Sequence, residues 1–263
     1  MTHTLEFPGL GLSFELNRVA FSVFGVQIFW YGIIITLAFF VFALVAVRRA
    51  KEFGVEPDRV IDAMIFTALG GVIGTRLYFV AFSWENYRHN LLGIFNFRAG
   101  GLAIYGGIIA GGLCLILFCR VKKLKPLPML DLFGSGMLIA QAIGRWGNFV
   151  NIEAFGTETN APWRMLSPDI TIYPVHPTFL YESLWNIIGF ILISLYIKRR
   201  KFDGEITLMY IGWYGIGRAV IEGMRADSLM IGGLRVSQVV AVLCVIAAAA
   251  LYYRLSLASK KIR

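Results

Sequence analysis

Seven long apolar stretches alternate with short polar connections along this chain, and this alternation limits the folds open to it. They cover approximately residues 20–47, 60–82, 101–119, 129–149, 178–197, 205–223 and 236–253. A helix needs about 20 apolar residues to cross a hydrocarbon core roughly 30 Å thick. With 57% hydrophobic residues and a mean hydropathy of +0.68, the chain is too apolar for a soluble domain. The sequence therefore predicts an all-α polytopic membrane protein of seven transmembrane helices, forming one domain over residues 1–263.

The basic residues are distributed unevenly between the predicted loops, and this predicts the orientation. Sixteen Lys and Arg residues follow the first, third, fifth and seventh stretches, whereas six lie on the opposite side. Cytoplasmic loops carry the excess of positive charge in membrane proteins. We therefore expect the N-terminus outside, the C-terminus in the cytoplasm, and residues 150–177 as an outer segment that caps the site or receives a substrate. This clustering accounts for the net charge of +9 without nucleic-acid binding.

Three arginines, Arg76, Arg145 and Arg218, lie within or at the outer end of predicted spans. A charge at the bilayer centre costs about 2.5–3.5 kcal/mol on insertion scales, so an arginine retained there indicates a functional site. The motifs IGTR, IGR and IGR place them on the second, fourth and sixth spans, which run in the same direction. A guanidinium forms two parallel hydrogen bonds with a phosphate or carboxylate. We expect them to converge on an anion, with snorkelling or structural ion pairs as the alternative.

Polar residues of the sixth span recur at helical spacing. Tyr214, Arg218, Glu222 and Arg225 are separated by steps of four, four and three, so they share one face of the helix. Arg218 and Glu222 can pair at i, i+4, which would orient the guanidinium until an anionic ligand arrives. The same pair could equally stabilise the bundle without binding any ligand.

The sequence predicts neither a metal nor a cofactor. The three cysteines lie in apolar stretches without a CxxC pair, and no HExxH motif is present. The glycine-rich stretch GLAIYGGIIAGG at 101–112 matches no nucleotide-binding spacing. Its small residues indicate tight helix packing instead.

Four motifs carry a resemblance to a known family. GRWGNFVNIEAFG at 144–156 places an arginine, two asparagines and a glutamate at the outer end of an apolar stretch. With FWYG at 29–32, HPTFLYE at 176–182 and YGIGRAVIEGMR at 214–225, it resembles, in the same order, the motifs of the phosphatidylglycerol:prolipoprotein diacylglyceryl transferases. The resemblance covers nearly the whole chain. It implies an enzyme of the bacterial cytoplasmic (inner) membrane whose active site faces the outer leaflet.

The resemblance also implies the reaction and its partners. The diacylglyceryl group of phosphatidylglycerol passes to the lipobox cysteine of a prolipoprotein signal peptide, a thioether forms, and glycerol phosphate is released. The peptide brings the nucleophile, which fits a chain whose own cysteines lack an activating neighbour. Membrane lipids are the remaining expected partners. A transporter or flippase for an anionic lipid or small anion is the alternative, although it would be expected to show inverted repeats and interrupted helices.

Residue by residue, the resemblance implies important roles for six positions: Tyr31, Arg145, Asn148, Gly156, Arg218 and Glu222. It implies supporting roles for Glu153 and Arg225. We expect Arg145 and Arg218 to stabilise charge on the departing phosphate. Asn148 and Tyr31 are expected to orient the head group. The expected substrate-binding residues also include Arg76, Gly156, Tyr214 and Arg225.

The family pattern is broken at one position, because Tyr105 stands where many members carry a histidine. We expect Tyr105 to donate a hydrogen bond to a phosphate oxygen, since an unperturbed phenol titrates near pH 10. The acceptor of the thiol proton is therefore water or a side chain, and the side chain is left open among Glu153, His176 and Tyr105. His176 could equally be structural, because it lies at the start of the fifth predicted helix.

Overall fold

A computed structural model describes residues 2–96, 100–168 and 170–262, with side chains up to residue 259. Seven long helices form most of this part of the chain: α1 (Trp30–Arg49), α2 (Pro57–Phe82), α3 (Ile104–Val121), α4 (Pro126–Asn151), α5 (Thr178–Tyr196), α6 (Glu205–Glu222) and α7 (Val236–Ile262). The predicted helical class is therefore confirmed. Four cations of the charge count lie outside the described side chains: Arg98, Lys260, Lys261 and Arg263.

Short hairpins, which the sequence did not predict, accompany the helices. In the described ranges β1 (Thr2–Phe7) pairs with β2 (Leu12–Asn17), β3 (Val19–Val23) with β4 (Val26–Phe29), and β5 (Met230–Ile231) with β6 (Leu234–Arg235). The second hairpin corrects the first predicted span, which was expected to begin at residue 20, because α1 begins only at Trp30. Residues 19–29 are rich in β-branched and aromatic side chains, and Gly25 has a φ of 79° at the turn. Both features favour a hairpin.

Six of the described helices are long and apolar enough to cross a membrane, and they identify a membrane protein. These segments are Trp30–Phe53, Pro57–Phe82, Ile104–Val121, Pro126–Asn151, Thr178–Arg199 and Val236–Ser259. Helix α6, predicted as the sixth span, is not one of them. Its 18 residues include the charged side chains of Glu205, Arg218 and Glu222. The seventh crossing therefore stays a prediction.

The chain divides into two compact units, of which the first comprises Met1–Ala46 and Asp131–Arg263. A buried apolar cluster lies at one end of this unit and consists of Leu5, Ile152, Met165, Val175 and Phe179. Backbone hydrogen bonds between Glu6 and Leu166 (2.8 and 2.9 Å) and between Met165 and Val175 (3.0 and 2.7 Å) bind the connection between α4 and α5 to strand β1. The end of α4 and the start of α5 are thereby held together.

The second unit, Val47–Leu130, contains α2 and α3 in close contact. A Cβ atom added to Gly74 would overlap Ala110, and one added to Gly106 would overlap the backbone of Gly74. The stretch 101–112 therefore packs tightly against α2 through its small residues, as the sequence predicts.

Candidate active site

The end of α4 has an unusual backbone conformation. The helix ends at Asn151, and both Ile152 (φ 49°) and Ala154 (φ 57°) adopt the left-handed conformation on either side of Glu153. This conformation costs roughly 1–2 kcal/mol for a residue with a Cβ atom. It is retained here because Ile152 is buried in the apolar cluster and the Ala154 carbonyl accepts a hydrogen bond from Thr178. Such strained residues often accompany functional sites.

Arg145, Asn148 and Glu153 form a continuous chain of hydrogen bonds. Arg145 Nη1 donates to Asn148 Oδ1 (3.2 Å), and Asn148 Nδ2 donates to Glu153 Oε1 (2.9 Å). Asn151 Nδ2 also approaches Glu153 Oε1 at 3.4 Å. The first contact is local, because Arg145 and Asn148 are three residues apart on one helix. The second depends on the reversal of the chain after α4.

Glu182 on α5 connects arginines that come from different segments. Its Oε2 atom lies 2.6 Å from Arg145 Nη2, and its Oε1 atom lies 3.1 Å from Arg218 Nη1 and 3.8 Å from Arg225 Nη1. The residue is only 4% exposed. Two predicted site arginines, from α4 and α6, therefore meet around one carboxylate.

The contact between α4 and α5 has a clear local cause in the residue that follows Glu182. Ser183 Oγ donates to the carbonyl of Ala142 (3.0 Å) and accepts a hydrogen bond from Trp146 Nε1 (3.3 Å). Ala142 and Trp146 lie on either side of Arg145 in the sequence. These bonds hold Glu182 against the turn of α4 that carries Arg145.

The other charged residues near Glu182 lie at the end of α6 and just after it. Arg218 Nη2 is 2.5 Å from Glu222 Oε2, so the predicted i, i+4 pair is present. Arg225 donates to both carboxylate oxygens of Asp227, at 3.0 and 2.8 Å. Burial would raise the pKa of Asp227, but the hydrogen bonds and charge of Arg225 outweigh it and lower that pKa below its usual value.

The charges within this set of residues balance. Three guanidinium groups face three carboxylates: Arg145, Arg218 and Arg225, against Glu182, Glu222 and Asp227. Five of these side chains are at least four-fifths buried, whereas Asp227 is exposed. The buried charges are tolerated because each has a partner, since an isolated buried charge is costly. We name these six residues the arginine cluster.

A cleft of about 930 Å³ lies beside the strained turn. Hairpin residues 27–29, Tyr31 at the start of α1 and the segment 151–153 line it. The Tyr31 ring lies against Gly147, where an added Cβ atom would be 2.9 Å from Tyr31 Cδ2. The cleft thus presents Tyr31 and Glu153, next to the hydrogen-bond chain that leads to Arg145.

Gly156 occupies a crowded position between two other segments of the chain. Its N–H donates to the His176 carbonyl (2.9 Å), and the following N–H, of Thr157, donates to the Met224 carbonyl (2.7 Å). An added Cβ atom would lie 2.5 Å from His176 Cβ and 3.0 Å from the Met224 oxygen. Glycine is therefore required here for packing, and it lets the backbone beside Arg225 approach the start of α5.

The other predicted site residues differ in their surroundings. His176 Nδ1 lies 3.1 Å from the Tyr181 hydroxyl, and Tyr214 stacks on Tyr210 with ring centroids 6.2 Å apart. Tyr105 belongs to the second unit, where it is half-buried near the start of α3. The roles predicted for these three residues stay predictions.

Arg76 also belongs to the second unit, and backbone carbonyls surround its guanidinium. All three of its nitrogens donate to the connection between α2 and α3, with acceptors on Gly93, Ile94, Asn96, Gly100 and Gly101 at 2.7–3.1 Å. The Tyr87 ring lies 5.1 Å from the guanidinium carbon. These contacts stabilise the loop after α2, and the predicted substrate-binding role of Arg76 stays a prediction.

Glu182 did not appear among the predicted site residues, although the sequence contained a signal for it. It lies within the apolar stretch 178–197, so the rule that selected the arginines applies to it equally. It is also the last residue of the motif HPTFLYE. What the sequence could not provide is its partners, because they lie 37, 36 and 43 residues away along the chain.

Comparison with known proteins agrees with the motifs. The sequence profile described as prolipoprotein diacylglyceryl transferase matches residues 18–254. The phosphatidylglycerol–prolipoprotein diacylglyceryl transferases of Finegoldia magna, Clostridioides difficile and Enterococcus faecalis are 48%, 45% and 41% identical to this chain. These alignments cover 88%, 88% and 89% of this chain and 93%, 92% and 88% of the respective relatives. The chain therefore belongs to the prolipoprotein diacylglyceryl transferase family.

Proposed function

We propose that this protein transfers the diacylglyceryl group of phosphatidylglycerol to the cysteine thiol of a prolipoprotein signal peptide. A carbon–sulfur bond forms, the bond between the glyceryl carbon and the phosphate oxygen breaks, and glycerol phosphate leaves. The observation that carries this proposal is the meeting of Arg145 and Arg218, from two helices, within 3.1 Å of one carboxylate. Guanidinium groups that hold one anion are suited to hold a phosphate.

Arg145 and Arg218 stabilise the leaving group. Negative charge develops on the phosphate as the carbon–oxygen bond breaks, and fixed donors in a largely buried site stabilise such charge effectively. Both arginine side chains are at least four-fifths buried. Glu222 orients Arg218, and the backbone of Arg225 lies beside that of Gly156.

Asn148 and Tyr31 orient the head group at the cleft. Asn148 already bonds to Arg145 and Glu153, so it fixes the spacing between a phosphate-binding group and a carboxylate. Tyr31 lines the same cleft as Glu153. Gly156, Tyr214 and Arg76 complete the substrate-binding residues of the proposal.

Among the three candidate acceptors of the thiol proton, we favour Glu153. It is exposed, lines the cleft, and receives an amide donor that aligns its carboxylate. The His176 ring is engaged with Tyr181, which accepts a hydrogen bond from Trp163 at 2.7 Å. Tyr105 would act as a hydrogen-bond donor rather than as a base. No metal or cofactor enters this scheme.

All seven helices cross the bacterial cytoplasmic membrane in the proposed topology, with the N-terminus outside and residues 150–177 as an outer cap. The charges of α6 are compatible with a crossing because each one has a partner. Arg218 and Glu222 pair, and Glu205 accepts hydrogen bonds from Tyr196 (2.8 Å) and Tyr252 (3.1 Å). The whole chain then forms one catalytic domain whose active site faces the outer leaflet.

The experiment combines purified protein, phosphatidylglycerol labelled in its glycerol head group, and a peptide that contains a lipobox cysteine. We expect lipid-modified peptide and labelled glycerol phosphate in equal amounts. A peptide with serine in place of the cysteine is the control and should give neither product. Movement of intact lipid or anion across vesicles, without modified peptide, would instead support the transporter alternative.

A further inference from the structure

Glu182 contacts the same two arginines that hold a phosphate in the proposed function. Each of its two oxygens contacts a different arginine, Oε2 with Arg145 and Oε1 with Arg218. The carboxylate therefore spans the pair, as two oxygens of a phosphate would. An anionic head group and this carboxylate compete for the same donors.

The arginine cluster also contains a third arginine with which the Glu182 carboxylate can interact. Arg225 Nη1 is 3.8 Å from Glu182 Oε1, a charge contact that is longer than a hydrogen bond. A small rotation of the Glu182 side chain toward Arg225 would shorten this contact and release Arg145. Arg145 keeps its hydrogen bond to Asn148 in either case.

We propose that Glu182 is an exchangeable counter-ion of the arginine pair. It neutralises Arg145 and Arg218 in the empty site, yields to the phosphate of the lipid, and returns as glycerol phosphate leaves. This inference rests on the proposed function, because it identifies the anion that takes the place of the carboxylate.

The exchange has two consequences for catalysis. Without a bound lipid, the carboxylate keeps the two guanidiniums paired and correctly oriented, so no isolated charge is buried. After the reaction, it competes with glycerol phosphate and speeds its release. Both effects reduce the affinity of the site for a phosphate. Weaker binding of the product allows faster turnover.

The test compares wild-type protein with Glu182→Gln by titration calorimetry, with glycerol phosphate as the titrant and identical buffers. The amide has nearly the same shape but no charge. We expect glycerol phosphate to bind about tenfold to a hundredfold more tightly to the variant, because one negative charge near the phosphate is removed. In lipid transfer, KM for phosphatidylglycerol and kcat should both fall. A merely structural role for Glu182 predicts the opposite, namely weaker binding and a higher KM.

Two further variants make the result unambiguous. Glu182→Asp keeps the charge but shortens the reach by one methylene, so binding should tighten by a smaller factor. It carries the same test if the glutamine variant does not fold. Glu205→Gln is the matched control, since Glu205 is equally buried but bonds to Tyr196 and Tyr252. Its affinity for glycerol phosphate should equal that of wild type.

The outcomes separate this inference from the proposed function. If wild type modifies the peptide and neither Glu182 variant binds glycerol phosphate more tightly, the exchange is wrong and the transferase activity stands. If wild type neither modifies the peptide nor binds glycerol phosphate, both proposals are wrong. Tighter binding in each Glu182 variant that folds, with the control unchanged, supports the exchange.

Discussion

Trp185 and Trp213 exchange hydrogen bonds between α5 and α6. Each indole Nε1 donates to the backbone carbonyl of the other residue at 2.9 Å, and the rings stack with centroids 4.4 Å apart. A buried indole N–H requires an acceptor, and this arrangement provides one for both rings. Glu182 lies three residues before Trp185, and Arg218 lies five after Trp213. The tryptophan pair therefore fixes the helices that bring Glu182 to Arg218.

The contact of α5 with α6 depends on glycine, which gives the first prediction. An added Cβ atom at Gly217 would overlap the Trp185 ring. We expect Gly217→Ala to destabilise the protein by about 1–3 kcal/mol, because the helices must separate. The unfolding temperature in detergent and the rate of peptide modification would both decrease.

Gly212 on the same helix provides the control, since an added Cβ atom there meets no atom within 4 Å. Gly212→Ala should be neutral or stabilising by up to about 1 kcal/mol, because alanine favours the helix. Equal effects of the two substitutions would contradict the proposed close approach.

Replacing either site arginine by lysine tests the need for a forked donor. Arg145→Lys and Arg218→Lys keep the positive charge but lose the ability to form two parallel hydrogen bonds with one phosphate. We expect kcat for peptide modification to fall by about a hundredfold to a thousandfold in each, the range seen when one oxyanion donor is removed. Arg88→Lys should leave kcat unchanged, because Arg88 forms an exposed pair with Glu85 at 2.9 Å. Full activity in either site variant would remove that arginine from the mechanism.

Asn148 connects Arg145 with Glu153, and its removal should uncouple them. Asn148→Ala breaks hydrogen bonds of 3.2 and 2.9 Å. One of these bonds is exposed and the other only partly buried, so water can replace them and the loss of thermal stability should be modest. We expect a large loss of kcat, because Arg145 and Glu153 lose the amide that aligns them. Asn151→Ala removes only a contact of 3.4 Å to Glu153 and should have a smaller effect. A larger loss of kcat in Asn151→Ala than in Asn148→Ala would show that the hydrogen bonds joining Arg145, Asn148 and Glu153 do not contribute to catalysis.

The pair of Arg225 and Asp227 predicts a dependence of stability on pH. Burial raises the pKa of Asp227, but the hydrogen bonds and charge of Arg225 lower it by more, so the pKa is below its ordinary value. A depressed pKa stabilises the folded state above the unfolded pKa of about 3.9, and this contribution is lost as the pH falls through the folded value. The unfolding temperature of wild type should therefore decrease more steeply below pH 4 than that of Asp227→Asn.

Asp203→Asn is the control for this measurement, since the Asp203 carboxylate lies farther from its partner, 3.8 Å from Arg200. It should keep the acid sensitivity of wild type. If Asp227→Asn is as sensitive to acid as wild type, other carboxylates cause that sensitivity.

Contacts between the predicted site residues could be anticipated from the sequence where those residues are close together in the chain. Helical periodicity alone places Arg218 against Glu222, and the motif GRWGNFVNIEAFG contains Arg145, Asn148 and Glu153 within ten residues. Arg145 and Arg218 contact one carboxylate, which agrees with the expected convergence on an anion. Arg76 belongs to the other unit, where it binds backbone carbonyls, and its part in the convergence stays a prediction. A charged residue in an apolar stretch signals a polar partner without identifying it.

The sequence by itself determined that this is a helical membrane protein, where its apolar helices lie, and to which family it belongs. These properties follow from the amount and spacing of apolar residues and from short motifs. Only the tertiary structure decided that Glu182 joins Arg145 to Arg218. The physical reason is that helix spacing is set by residues such as Gly217, Ser183 and Trp185, whose partners lie on other helices. Which oxygen meets which guanidinium therefore depends on packing across the chain, and no local pattern encodes it.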